Sequence, residues 1–196
     1  MLVYKLTNQH SQTYNNTQWG VNVTHKTNGK GELCTKGWLH FYNSPELAIL
    51  MNPIHARFSN PKMWLAEAGG KFKDDFGIKG GCTKLTTLRE IPVPVITETQ
   101  KIAFGILCAL EVCDDKEFQK WANNWLENKD RTEKAAMDAM NVLSAMSHVP
   151  YAAVYAAYAA MNELCAARYV ALAADVRNVP FHPPDFQKII EKALTY

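Results

Sequence analysis

The chain has little of several things that would name a function at once. Its five cysteines, in 196 residues, include no Cys-x2-Cys pair and no repeated spacing, so neither a zinc ribbon nor a disulfide framework is written into it. A reduced, cytoplasmic setting is expected. Apolar runs are short. The longest, at 149–161, stops at Asn162, Glu163 and Arg168, too early to span a bilayer. The opening Met-Leu-Val-Tyr-Lys has no basic stretch leading into an apolar one, so no secretory signal is expected. No Gly-x4-Gly-Lys-Ser/Thr run occurs, which excludes the nucleotidase phosphate loop. Net charge is small, +2, and the lysines are scattered rather than striped, so nucleic acid is not an expected partner.

The small net charge is a sum of opposites. Residues 1–96 hold eleven Lys and Arg against six Asp and Glu, while 97–196 hold ten against thirteen. Alanine divides the same way, with fifteen of twenty-three between Ala135 and Ala174. Two differently built halves follow, 1–96 basic and β-rich, 97–196 acidic, Ala-rich and helical, expected to join into one compact unit. At 47% apolar and 20% charged residues the chain can build a core without a metal or disulfide staple.

In the basic half, alternation predicts strands at 2–6, 33–42 (bent at Gly37), 62–68 and 84–91, with 21–25 a strand inside the polar stretch 8–30. Ser44-Pro45-Glu46 opens a helix with a capping side chain, a proline at the first position and an acid in the first turn. It should end before Pro53. Asp74-Asp75-Phe76-Gly77 reads as a turn, and Pro92 and Pro94 as a stiff exit.

In the acidic half, three capping boxes, Thr97 to Gln100, Asp114 to Glu117 and Asp130 to Glu133, each precede a helix-period run. The first helix, to about Cys113, is apolar on nearly every face and should be central, packing on the sheet. Trp121 and Trp125 mark the second helix, and the third covers 131–146. A long fourth helix is expected over 150–176. Its alanines should let it pack closely on the third. A last helix follows Pro183-Pro184, over 185–194.

Several groups could carry chemistry. His55 and Arg57, two apart beyond a helix end, could bind phosphate or carboxylate, or simply tie down their loop. Lys79 and Lys84 flank glycines in Gly77-Ile-Lys-Gly-Gly-Cys-Thr-Lys84, where backbone N–H groups could converge on an anion, or where the chain merely bends. Cys34, His40 and Cys82 lack zinc-ligand spacing, so no metal is expected. Tyr151, Tyr155 and Tyr158 recur at i, i+4, i+7; buried they are core, exposed they mark a partner or homodimer surface.

Leu33-Cys34-Thr-Lys-Gly37-Trp38-Leu-His40-Phe-Tyr42-Asn-Ser-Pro45 resembles the Cys-x-x-Gly-aromatic-His motif of a bacteriophage and bacterial domain family with no assigned activity. Leu39 is an extra residue relative to that pattern. The resemblance continues through Asn52-Pro-Ile-His55-Ala, Glu67-Ala-Gly-Gly70, Asp74 and Asp75, Lys79, the strand from Lys84, Trp121 and Trp125, and the Ala-rich tail. It implies a small phage accessory protein made in the host cytoplasm. A second likeness lies in Gly37 to Ala48, which is similar to the second motif of ADP-ribosyltransferases. There His40 or Tyr42 would stand near the nicotinamide of NAD and Glu90 would orient the ribose. The first motif of those enzymes is not matched by Tyr4-Lys5-Leu6.

The expected fold is α+β, a small twisted N-terminal sheet packed against a C-terminal helical bundle. The expected function is a non-catalytic accessory protein that binds a host protein or an anionic small molecule, with interference with host defence as one concrete form, without a cofactor. The alternative is an NAD-dependent ADP-ribosyltransferase-like enzyme.

Overall fold

The computed structural model describes residues 1–144, 151–161, 163–174 and 184–196. The protein is α+β and divides into two compact units, Met1–Val95 and Ile96–Tyr196. The first holds strands β1 (Leu2–Thr7), β2 (Gln12–Thr13), β3 (Thr17–Gln18), β4 (Val23–Lys26), β5 (Leu39–Phe41), β6 (Lys62–Asp75) and β7 (Lys79–Ile91), with helix α1 (Pro45–His55) between β5 and β6. The second holds helices α2 (Glu98–Leu110), α3 (Lys116–Leu126), α4 (Glu133–Ser144), α5 (Tyr151–Met161), α6 (Glu163–Ala174) and α7 (Phe186–Ala193).

The sheet unit is organised by one long hairpin. β6 and β7 pair antiparallel from Met63 opposite Ile91 down to Asp75 opposite Lys79, with bulges at Leu65/Ala66 and Gly69/Phe72. β1 lies on the outer edge of β6, and both β4 and β5 lie on the outer edge of β7. Just past β5, Tyr42 and Tyr4 exchange two backbone hydrogen bonds of 2.9 Å. The circuit β1–β6–β7–β5 therefore returns to β1, which leaves fewer open edges. Val3, Trp19, Phe41, Ala66, Ala68, Cys82 and Leu85 form its core.

Three sequence expectations change here. The strand expected over 33–42 shrinks to three residues. Turn bonds from Thr35 to Glu32 and from Trp38 to Thr35, and one from Gly29 to Gly37, capture the preceding segment instead. The glycine-rich stretch after Gly77 is not a connection; it is the first part of β7. Gly80 and Gly81 are flat places in the sheet, where an added Cβ would stand 2.3 Å from the Phe41 ring and 2.3 Å from Leu33 Cδ1. Finally, α1 runs through Pro53. Proline there forfeits one bond near the helix end, and the end is held by other means. The Asn52 carbonyl accepts from Ala56 N (3.0 Å) and Arg57 N (2.8 Å), with Arg57 in the left-handed conformation at φ 58°. The Asn52 side chain grips Phe58 twice, Nδ2 donating to its carbonyl (2.9 Å) and Oδ1 accepting from its amide (3.1 Å). Asn52→Ala should cost about 1–2 kcal/mol in urea unfolding, two bonds to backbone groups being lost together.

The helical unit is centred on α2, whose Ile102 to Ala109 are buried without interruption. α5, α6 and α7 pack around it. Small residues set the spacing: a Cβ on Gly105 would stand 3.3 Å from Val170 Cα. Val170, Ala173 and Ala174 are buried, as are five alanines of α5. The single helix expected over 150–176 is two helices. Tyr169 of α6 stacks on Tyr158 (5.2 Å) and Tyr155 (6.2 Å) of α5, whereas eleven residues of continuous helix would separate Tyr158 and Tyr169 by roughly 16 Å. α4 packs on α5, as its small residues suggested. The expected helix ends at 145–150 and 175–176 lie outside the described residues. No helix among those described is long and apolar enough to cross a membrane.

Candidate functional site

Below the closure of the sheet lies a group of polar side chains that have turned inward. Lys5 is only 7% exposed on the core side of β1. Its Nζ donates to the His40 carbonyl (2.8 Å) and stands 5.0 Å from the centroid of the Trp19 ring. Burial pushes its ammonium down to about 8, against a smaller upward pull from Cys82. His40 is held below the usual histidine range, first by burial and then by the charges of Lys5 and Lys79, opposed by its bond to Leu33. Its Nε2 meets the Leu33 carbonyl at 2.5 Å. A carbonyl only accepts, so Nε2 carries the proton. Lys79, 8% exposed, reaches Cys34 Sγ (3.1 Å) and Asp75 (3.8 Å).

Beside this group, the Tyr42 hydroxyl meets His55 Nδ1 at 2.9 Å, with the two rings stacked 6.0 Å apart. Burial holds the Tyr42 phenol well above its usual range, so the bond to Nδ1 is made by the protonated phenol. His55 thus ties α1 to the end of β5.

The structure therefore brings His40 together with Lys79, and Tyr42 together with His55. Arg57 is exposed beyond α1. Lys84 lies five residues along β7 from Lys79, roughly 17 Å away. Glu90 pairs with Lys62 at 3.4 Å. It stands nine residues along β7 from Gly81, the partner of His40, roughly 30 Å at strand rise. His40, Tyr42 and Glu90 are thus not gathered around one ligand. The anion nest, one of two readings of Gly77 to Lys84, is not formed either, because from Lys79 onward that backbone is laddered to β6 on one side and, at Gly80 to Cys82, to β5 on the other. Among the described residues no three His, Cys, Asp or Glu are grouped to hold a metal ion.

Of the tyrosines, Tyr151 is 77% exposed and stacks on Tyr155 at 6.3 Å, while Tyr155 and Tyr158 are half-buried against Tyr169. Most of that stripe is spent between two helices of one chain. The helical unit also has a groove of about 310 Å³ between α3 and α4, floored by Phe118 and Trp121 and edged by Glu117 and Asp138.

One cationic feature of the sheet unit remains unspent. Lys26 of β4 and Lys84 of β7 are directly opposite each other, so their side chains leave the same face as neighbours. Both are exposed, and neither has an ion pair among the described residues. Beyond Lys84, the next residue across the sheet is Gly69 of β6, where a Cβ would meet nothing within 4 Å. One row along, Thr24 and Thr86 share a hydroxyl–hydroxyl bond of 2.8 Å, with Glu67 next to Thr86. Two ammonium groups, two hydroxyls and an open glycine floor make a surface that can receive a multiply charged anion. Lys84 was singled out from sequence. Lys26 was not, because its pairing is a long-range fact with no local signal.

In comparisons with known proteins, no family model, no curated protein and no solved structure matched the chain.

Proposed function

We propose that the protein is a non-catalytic binding protein, of the phage accessory type that its motifs resemble, and that its sheet unit holds an anionic small molecule of the phosphate class. The observation that carries this reading is the opposed pair Lys26 and Lys84. Like charges on directly opposite strand residues destabilise a sheet by up to about 1 kcal/mol; Glu67 lies one row along, and nothing in their own row neutralises them. A bound anion would. The non-catalytic part is supported by where the other reactive groups spend their bonds. Lys5 is used on a carbonyl, His40 on Leu33, Tyr42 on His55 and Glu90 on Lys62.

The test is calorimetric titration with inorganic tripolyphosphate and with ATP, at low and at physiological salt. Binding should weaken with salt, as ion pairing does. Lys26→Glu or Lys84→Glu should weaken it at least about tenfold, the loss of one charge-assisted contact. Absence of binding to the unaltered protein would overturn the anionic-ligand reading.

A further inference from the structure

Cys34 and Lys79 form the one contact between a nucleophilic sulfur and an amine nitrogen among the described residues. Lys79 Nζ stands 3.1 Å from Cys34 Sγ. The two residues differ in their access to solvent. Cys34 is exposed on the turn segment before β5, while Lys79 is 8% exposed at the start of β7. Small oxidants therefore reach the sulfur from outside, while the nitrogen waits on its inner side. Lys79 is fixed there from several directions: its backbone is paired with Asp75 in the β6–β7 ladder, and its ammonium lies 3.8 Å from the Asp75 carboxylate. Cys82, the thiol on the same strand as Lys79, is buried, and its Sγ contacts the Lys84 carbonyl (3.1 Å).

We propose that Cys34 and Lys79 are a covalent modification site, at which peroxide closes a sulfur–nitrogen bond between the two side chains. The chemistry balances in two steps. The Cys34 thiolate attacks one oxygen of hydrogen peroxide and breaks the O–O bond, giving sulfenic acid and hydroxide. Sulfur gives up two electrons, and the peroxide oxygens take them. The hydroxide removes one proton from the Lys79 ammonium. The freed amine then attacks the sulfenic sulfur, the S–OH bond breaks, and the departing hydroxide leaves as water with a second proton from nitrogen. Thiolate, ammonium and one peroxide become a sulfenamide and two waters. A sulfenic acid condenses in the same way with a thiol or a backbone nitrogen. Here the amine is already in contact, so the second step is intramolecular and favoured by proximity. The product would tie the turn segment to β7 and remove the positive charge that faces Asp75.

Peptide mass mapping after peroxide treatment tests this, because trypsin distinguishes the products. Cleavage after Lys30 and Lys36 releases the Cys34 peptide, and cleavage after Lys73 and Lys84 bounds the segment holding both Lys79 and Cys82. A Cys34–Lys79 bond blocks cleavage at Lys79. The two peptides should then appear joined, with Lys79 uncut and a loss of about 2 Da, the two hydrogens given up in the condensation. Dithiothreitol should separate them, Cys34→Ser should abolish the joined species, and Cys82→Ser should leave it intact. A joined species cut at Lys79 would instead be a Cys34–Cys82 disulfide. That outcome, or Cys34 found unmodified or carried to sulfinic acid without a cross-link, would overturn the proposal.

Discussion

Gly37→Ala should destabilise the sheet unit by more than about 4 kcal/mol, in the exceptional tail of single substitutions. A Cβ at this position would stand 1.9 Å from the Lys30 carbonyl oxygen, 2.9 Å from its carbon and 3.0 Å from its nitrogen. All three are backbone atoms, so no side chain can swing aside. The segments cannot simply part, because Gly29 N donates to the Gly37 carbonyl at 2.9 Å. Separating them would also lift Leu33 and Trp38 from Gly81, against which both pack. Gly69→Ala is the control. Its Cβ meets nothing within 4 Å, and it should be neutral or stabilising by up to about 1 kcal/mol, since glycine weakens a strand. Urea unfolding followed through Trp19 and Trp64 fluorescence checks both. Equal effects at the two glycines would contradict the packing described for residues 29–38.

The second large effect is a pH dependence centred on Lys5. Its ammonium is lowered to about 8 in the folded protein, chiefly by burial, against about 10.4 in an unfolded chain. Between those values the unfolded chain binds more protons than the folded one, so this group's contribution makes stability rise with pH. Below about pH 8 the buried charge is a standing cost. Across the window from 8 to about 10.4 it is relieved, by roughly 3 kcal/mol at 1.36 kcal/mol for each unit of pKa. The thiols of Cys82, Cys108 and Cys113 and the Tyr42 phenol are all raised, by burial first. They act with the opposite sign, since each ionises more readily once unfolded. The measurement is therefore a difference. Unfolding free energies of the unaltered protein and of Lys5→Met, taken at pH 7.5 and 10, should show the unaltered protein gaining on the variant as pH rises. A constant difference would mean that Lys5 is solvated.

Much of the fold was legible where signals are local. Thr97 and Gln100 make both bonds of the expected capping box, Gln100 N to Thr97 Oγ1 at 3.1 Å and Thr97 N to Gln100 Oε1 at 3.0 Å. Ser44 caps α1 as its Ser-Pro-Glu spelling suggests. Where a local signal was overruled, tertiary packing did it. Pro53 stays helical because Asn52 secures the chain beyond it. Gly80 and Gly81, which read as a bend, are strand residues kept small by Phe41 and Leu33. Tyr155 and Tyr158, a candidate interface from spacing alone, find Tyr169 on a helix that sequence had joined to their own.

The candidate site was less legible for the same reason. Lys84 could be named from its glycine-rich surroundings, but those glycines serve the sheet and not an anion nest. What gives Lys84 its interest is Lys26, and only the register of β4 on β7 sets the two side by side. Lys5, Cys34 and Lys79 likewise come from three separate segments. Composition recorded an excess of positive charge in the first half of the chain. The strand pairing determines which of those charges are buried, which are paired and which are left facing solvent.

The lysine pair is tested most directly by the melting temperature of the unaltered protein and of Lys84→Glu, each followed against tripolyphosphate concentration. Without ligand, Lys84→Glu should melt higher, because an opposed like-charge pair becomes an opposite-charge pair. With ligand, the unaltered protein should rise steadily as a bound state is stabilised by mass action, while the variant should rise only at concentrations at least about tenfold higher. A variant that melts lower without ligand, or that responds to tripolyphosphate as the unaltered protein does, would contradict an anion site built on Lys26 and Lys84.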